Sequence, residues 1–161
     1  MSTIDPQELR QALGRFATGV TVITTVDARG NKIGVTANSF NSVSLDPPLI
    51  LWSLARASRS MPAFDCCERF AVHILGAHQQ KLARQFASRG EEKFVSVTTR
   101  EGLGGAPLLD DCIAHLQCMV ENRFDGGDHV IILGRVIAFE AYDREPLVYH
   151  RGQFARIAAA V

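Results

Sequence analysis

The chain has 161 residues, and its 17 basic and 17 acidic side chains cancel, which removes the electrostatic basis for a nucleic-acid partner. With 47% hydrophobic residues it is long enough to bury a core, and the simplest organisation is a single domain over residues 1–161. No apolar run approaches the ~20 residues a bilayer requires, and Met1-Ser-Thr-Ile-Asp-Pro6 lacks the charged and greasy segments of a signal peptide, so the expectation is a cytoplasmic protein with no membrane partner.

Asp5 and Pro6 read as a helix start, with the proline in the first turn. Leu9, Ala12, Leu13, Phe16 and Ala17 follow at helical spacing and form one apolar stripe. After Gly19 the pattern changes to Val20-Thr-Val-Ile-Thr-Thr-Val26, a β-branched strand. Asp27 to Asn31 is a turn, and Lys32 to Phe40 returns as the second arm of a hairpin. Asp46-Pro-Pro48 breaks the chain ahead of a buried strand, Leu49 to Leu54. A short helix is expected from Ser58 to Cys67, a strand from Phe70 to Leu75, and a helix from His78 to Ala87 with Leu82 and Phe86 four apart.

Gly102 to Pro107 is a loop. Ile113 to Phe124 alternates, with Ala114, Leu116, Cys118, Val120 and Phe124 on one face and His115, Gln117, Glu121 and Arg123 on the other. Asp125-Gly-Gly127 is a tight turn into a long strand, His129 to Tyr142. Leu147 to Tyr149 and the residues from Phe154 onward give a last strand pair. Six or more strands with short turns and few helices predict a mostly antiparallel barrel with helical decoration. The Gly102-x-Gly104 loop follows no convincing strand and runs into Pro107, so it is no dinucleotide fingerprint.

Neither the adjacent Cys66 and Cys67 nor the pair Cys112 and Cys118 has metal-knuckle spacing, and the five histidines form no HxxxH or HExxH pattern. Free thiols and no metal are expected. Chemistry concentrates elsewhere. Gly34-Val-Thr-Ala-Asn-Ser-Phe40 sets small polar residues inside an apolar strand, and Thr36, Asn38 and Ser39 offer donors and acceptors. It is either a polar edge strand or a strand against which a flat ligand lies, with Gly34 and Ala37 leaving room for a ring. Ser53-Leu-Ala-Arg-Ala-Ser-Arg-Ser60 joins a strand to a helix and reads as a capped helix or as a phosphate site. Arg89 and Lys93 either complete such a cradle or are solvated charges. His129, after Gly127-Asp128, is a surface or core histidine or a functional one. Tyr149-His-Arg-Gly152 is a strand terminus or a ligand border.

Taken together these segments resemble the short-chain flavin reductase family, the reductase components of two-component flavin-dependent monooxygenases such as those that hydroxylate 4-hydroxyphenylacetate or phenols. The resemblance runs through Phe16-Ala-Thr-Gly-Val-Thr-Val-Ile-Thr24, Gly34 to Phe40, Ser42-Val-Ser-Leu-Asp-Pro-Pro48 and Ser60-Met-Pro-Ala-Phe64. It continues through Phe70 to Leu75, Gly127-Asp128-His129 and Tyr149-x-Arg-Gly-x-Phe154. It implies a split β-barrel with a few peripheral helices that binds FMN (or FAD), works as a homodimer with NADH (or NADPH), and supplies reduced flavin to a separate oxygenase. Thr36, Ala37, Asn38 and Ser39 would then contact the isoalloxazine edge. Ser53, Leu54, Ala55, Ser58, Arg59 and Ser60 would hold the ribityl chain and phosphate, with Arg89 nearby. His129 would position or polarise, and Tyr149, His150, Arg151 and Gly152 would border the nicotinamide dinucleotide. The absence of a triad or paired carboxylates agrees with hydride transfer, in which the cofactor carries the reactivity. A flavin-binding carrier or sensor without NAD(P)H turnover, or another flavin- or haem-linked enzyme on the same barrel, is the alternative.

Overall fold

The computed structural model describes residues 3–90 and 92–161; Met1, Ser2 and Glu91 lie outside it, and with them part of the N-terminal reading. The fold is mostly β, with antiparallel sheets and few helices. Helix α1 (Pro6–Leu13) starts where expected, because the Asp5 carboxylate accepts the backbone N–H groups of Gln7 at 2.7 Å and Glu8 at 3.0 Å. It stops a turn short of Phe16 and buries no residue. Its stripe stays open to solvent, with Leu13 67% and Phe16 80% exposed.

Seven strands make the main sheet: β2 (Thr21–Val26), β3 (Lys32–Ala37), β4 (Asn41–Leu45), β5 (Pro48–Ala55), β6 (Arg69–Ile74), β9 (Ala114–Gly126) and β10 (His129–Ala141). Their order is β3-β2-β6-β9-β10-β5-β4, so the β9–β10 hairpin occupies the middle. A flat sheet would hold β3 and β5 five strand spacings apart, on the order of 24 Å. Instead they touch, and Ser39 just beyond β3 bonds Ser53 in β5. The sheet is therefore strongly curled, although among the described residues no hydrogen-bonded ladder joins its two edges. Inside the curl Trp52 packs edge-on against Phe64 at 4.9 Å, among Ile23, Phe70, Val72 and Ile132.

A smaller sheet joins β1 (Thr18–Gly19), β11 (Val148–His150) and β12 (Gln153–Ala155), and β7 (Thr99–Glu101) pairs with β8 (Pro107–Leu109). Helices α2 (Met61–Cys66) and α3 (Gln80–Ala87) complete the chain, with a single 3₁₀ turn at Leu103–Gly105. A second core beneath α3 gathers Val20, Val22, Leu75, Ala83, Phe86, Leu109 and Leu147.

Several expectations change. Strand β9 does not keep a clean two-face alternation: His115 is buried and Phe124 is 46% exposed. A bulge at Glu121, opposite Leu133–Gly134, shifts the face of Phe124, whereas His115 keeps its register beside His73 and lies with Leu109 on the face that β8 covers. The turn itself is Gly127–Asp128, because His129 already pairs with Gly126 and Gly127 carries the left-handed φ of 76°. Helix α2 begins at Met61 rather than Ser58, and the Ser60 side chain does not cap it. Gly34 leaves no room for a ligand. A Cβ there would stand 2.5 Å from the Phe86 ring, so its smallness serves helix packing.

Candidate active site

A cleft of about 670 Å³ opens where the end of β3, one face of α3 and the β11–β12 hairpin meet. Strand β3 contributes Thr36 and Ala37, with Asn38 just beyond it. Thr36 donates its hydroxyl to the Ala83 carbonyl at 2.6 Å, which pins the strand end to the helix. The Asn38 side chain is exposed and bonds no protein group among the described residues, so both ends of its amide remain free.

Helix α3 presents Gln80, Ala83, Arg84 and Ala87, which are three and four residues apart and share one face. Phe86 goes to the other side and anchors the helix in the second core, edge-on to Phe94 at 4.9 Å. The hairpin contributes Tyr149, Gly152, Gln153 and Phe154. Its two loop residues, Arg151 and Gly152, both have left-handed φ (52° and 78°), as a two-residue turn between antiparallel strands requires. That turn sets Tyr149 opposite Phe154 with ring centres 5.7 Å apart. The Arg84 guanidinium lies 5.1 Å from the centre of the Phe154 ring.

A second surface forms around the tip of the β9–β10 hairpin. Ladder pairing sets Ser53 opposite Ile131, Leu54 opposite Val130 and Ala55 opposite His129. Arg56 clamps the tip: its backbone N–H donates to the Asp128 carbonyl, its Nε to the Gly127 carbonyl, and its Nη2 meets the Asp125 carboxylate at 2.6 Å. His129 Nδ1 lies 2.7 Å from Asp128 Oδ1, and that hydrogen bond holds the Asp128 carboxyl below the usual range. The Nε2 edge has no protein partner among the described residues. Ser58 Oγ accepts from the Ser60 N–H at 3.2 Å, and Arg59 Nη1 donates to the Arg89 carbonyl at 3.0 Å, which draws the Arg89 segment to this surface. The Leu54 side chain is buried in the core, so only its backbone is available here.

Lys93 is spent elsewhere. Its Nζ donates to the carbonyls of Gly34 at 3.1 Å and Phe86 at 2.9 Å, and burial lowers its pKa. It closes the end of α3.

The expected site residues thus fall into two groups. Thr36, Ala37 and Asn38 share the cleft with Tyr149 and Gly152, while His150 and Arg151 lie outside its lining. The Ser53 to Ser60 segment, Arg89 and His129 make the second surface. Ser39 joins the two: its hydroxyl accepts the Ser53 N–H at 2.9 Å and donates to the Ser53 carbonyl at 3.0 Å, imitating a strand pairing across the corner. Gln80, Ala83, Arg84 and Phe154 are cleft residues that sequence reasoning missed. The spacing of 80, 83, 84 and 87 was the available signal. Among the described residues, no three His, Cys, Asp or Glu side chains gather at metal-binding range.

The model of the flavin reductase like domain matches residues 13–158. A protein named probable flavin reductase from Rhizobium meliloti is 47% identical over 150 residues, which cover 93% of this chain and 48% of that protein. The chain thus spans about half the length of that relative. The reductase subunit HsaB of a flavin-dependent monooxygenase from Rhodococcus jostii is 40% identical, over 96% of this chain and 79% of its own. Among solved structures, the NADH:FAD oxidoreductase SgcE6 of Streptomyces globisporus, in complex with NAD and FAD fragments, superposes with a TM-score of 0.90. It is 39% identical and the match covers 98% of both chains.

Proposed function

The chain belongs to the flavin reductase like domain family, and from that premise we propose that it is an NAD(P)H:flavin oxidoreductase that reduces FMN (or FAD) and supplies it to a separate monooxygenase component. The observation that carries this reading is the cleft in which the unpaired amide of Asn38 shares a polar-edged space with Tyr149 and Gly152.

The residues present suit a flat heterocycle. Ala37, Ala83, Ala87 and Gly152 keep the lining low, and Asn38 has two donors and an acceptor unspent. Bound flavin supplies the hydride acceptor for the reduced nicotinamide. Asn38, with the backbone of Ala37 and Ser39, orients the ring edge, and Thr36 keeps that strand end against α3. Ser53, the backbone of Leu54 and Ala55, Ser58, Arg59, Ser60 and Arg89 receive the ribityl chain and phosphate. Tyr149 and Gly152 border the nicotinamide, with His150 and Arg151 at the outer edge. Asp128 orients His129 through Nδ1, so that Nε2 is the edge offered to ligand. Positioning within reach for hydride transfer and donors toward the growing ring charge are what the protein contributes.

The same reading takes the curled sheet as a split β-barrel and residues 1–161 as one domain. It makes the molecule a homodimer, supported by the exposed apolar side chains of Leu13, Phe16, Leu45 and Phe139. It places the protein in the cytoplasm, supported by four unpaired cysteines and by the lack of any helix, among the described residues, long and apolar enough to cross a membrane. The test is consumption of NADH or NADPH by the purified chain with added FMN or FAD. Flavin-dependent oxidation is the expected result. Tight flavin binding without turnover would replace the enzyme by a carrier or sensor. A monomeric mass in solution would remove the dimer.

A further inference from the structure

Among the described residues, Arg84 is the one cationic side chain lining the cleft, and no carboxylate lines it. Some other arginines of the chain are ion-paired, Arg56 with Asp125, Arg135 with Glu121 and Arg156 with Glu145. Arg84 has no ion pair and no hydrogen bond among the described residues. Its guanidinium instead rests over the Phe154 ring at 5.1 Å, and Phe154 is braced by Tyr149. An aromatic platform restricts the plane of the guanidinium while leaving its N–H fork unused. An unpaired, oriented fork at the edge of a cleft without acidic groups suits a doubly charged phosphoester.

We propose that Arg84, held on Phe154, binds the pyrophosphate of the nicotinamide dinucleotide. This rests on the functional reading above and adds to it an anion subsite on α3. Two anionic groups have to be accommodated, the flavin phosphate and the dinucleotide's diphosphate. Ser58, Arg59, Ser60 and Arg89 lie on the other surface, beyond the Ser39–Ser53 link, and serve the first. Arg84 stands on the same side as Tyr149 and Gly152, where the nicotinamide half is bordered, and is left for the second.

The test uses ADP-ribose, which carries the pyrophosphate and no nicotinamide, so binding is read without turnover. By calorimetry, Arg84→Gln weakens ADP-ribose binding about tenfold and raises KM for NADH by a similar factor, with FMN affinity unchanged. Arg84→Lys recovers only part of the loss, because an ammonium neither stacks nor forks. Phe154→Leu gives a smaller loss of the same kind. Arg29→Gln, on the β2–β3 turn away from the cleft, controls for net charge and changes nothing. Unchanged ADP-ribose binding in Arg84→Gln overturns the inference, as does a loss confined to FMN or a wild-type protein that does not bind ADP-ribose. A wild-type chain that binds ADP-ribose through Arg84 yet oxidises no NAD(P)H with flavin would sink the functional reading and leave the subsite standing.

Discussion

His73, in the middle of the main sheet, and His129, at the tip of its central hairpin, show how one side chain takes opposite duties. His73 is fully buried, and both ring nitrogens are committed to backbone: Nδ1 donates to the Val22 carbonyl at 3.0 Å, and Nε2 accepts the Leu109 N–H at 3.1 Å. Burial above all pushes its pKa down to about 4, so the ring is a neutral rivet between β2, β6 and β8. His129 has one nitrogen tied to an exposed carboxylate and the other open. Burial with two backbone partners marks a structural histidine; one oriented nitrogen and one free leave a histidine with an edge to spare.

Removing the rivet has the largest expected effect. His73→Leu leaves the Val22 carbonyl and the Leu109 N–H buried without partners and lowers unfolding stability by roughly 3 kcal/mol, read from urea denaturation. Acid acts on the same residue. The folded pKa of about 4 lies below the unfolded value, so the unfolded chain binds the extra proton. The His73 contribution is therefore complete above the unfolded pKa, near 6.5, and is lost as pH falls from there toward 4, on the order of 3 kcal/mol in all. Urea midpoints measured across that window fall with pH in the wild type, and His73→Leu loses that part of the slope.

Ser39→Ala comes next. It frees the Ser53 N–H and carbonyl, costs about 1 kcal/mol and lowers Tm by roughly 3 °C. His129→Ala has the smallest effect on the fold: the urea midpoint does not move, while flavin-dependent NADH oxidation slows roughly ten- to hundredfold. If His129→Ala unfolds the protein instead, the contrast between the two histidines collapses.

The strands with strong β-branched or apolar signatures, β2, β5, β6 and β10, were legible in the sequence. Strand β4 was not, because Asn41-Ser-Val-Ser-Leu45 carries one edge of the sheet and four of its five residues are exposed. Strands β7 and β8 are three residues each, too short for a period to register. The exposure of Phe124 follows from a bulge, which shifts a face without changing the composition, and the burial of His115 from the face it shares with His73, which β8 covers. In the cleft, Asn38 and Tyr149 stood out by residue type. Arg84 did not, because an exposed arginine on an amphipathic helix looks like solvated charge until Phe154, 70 positions later, is folded beneath it.

The place of the β9–β10 hairpin in the sheet also bears on how the chain is made. Residues 114–141 separate β3, β2 and β6 from β5 and β4, yet they leave the ribosome after all five. Until they emerge, β6 and β5 each have one unpaired edge that only later-translated residues cover. The nascent protein must therefore wait for its own centrepiece, and a fragment halted before residue 114 would expose two strand edges suited to sticking to other chains.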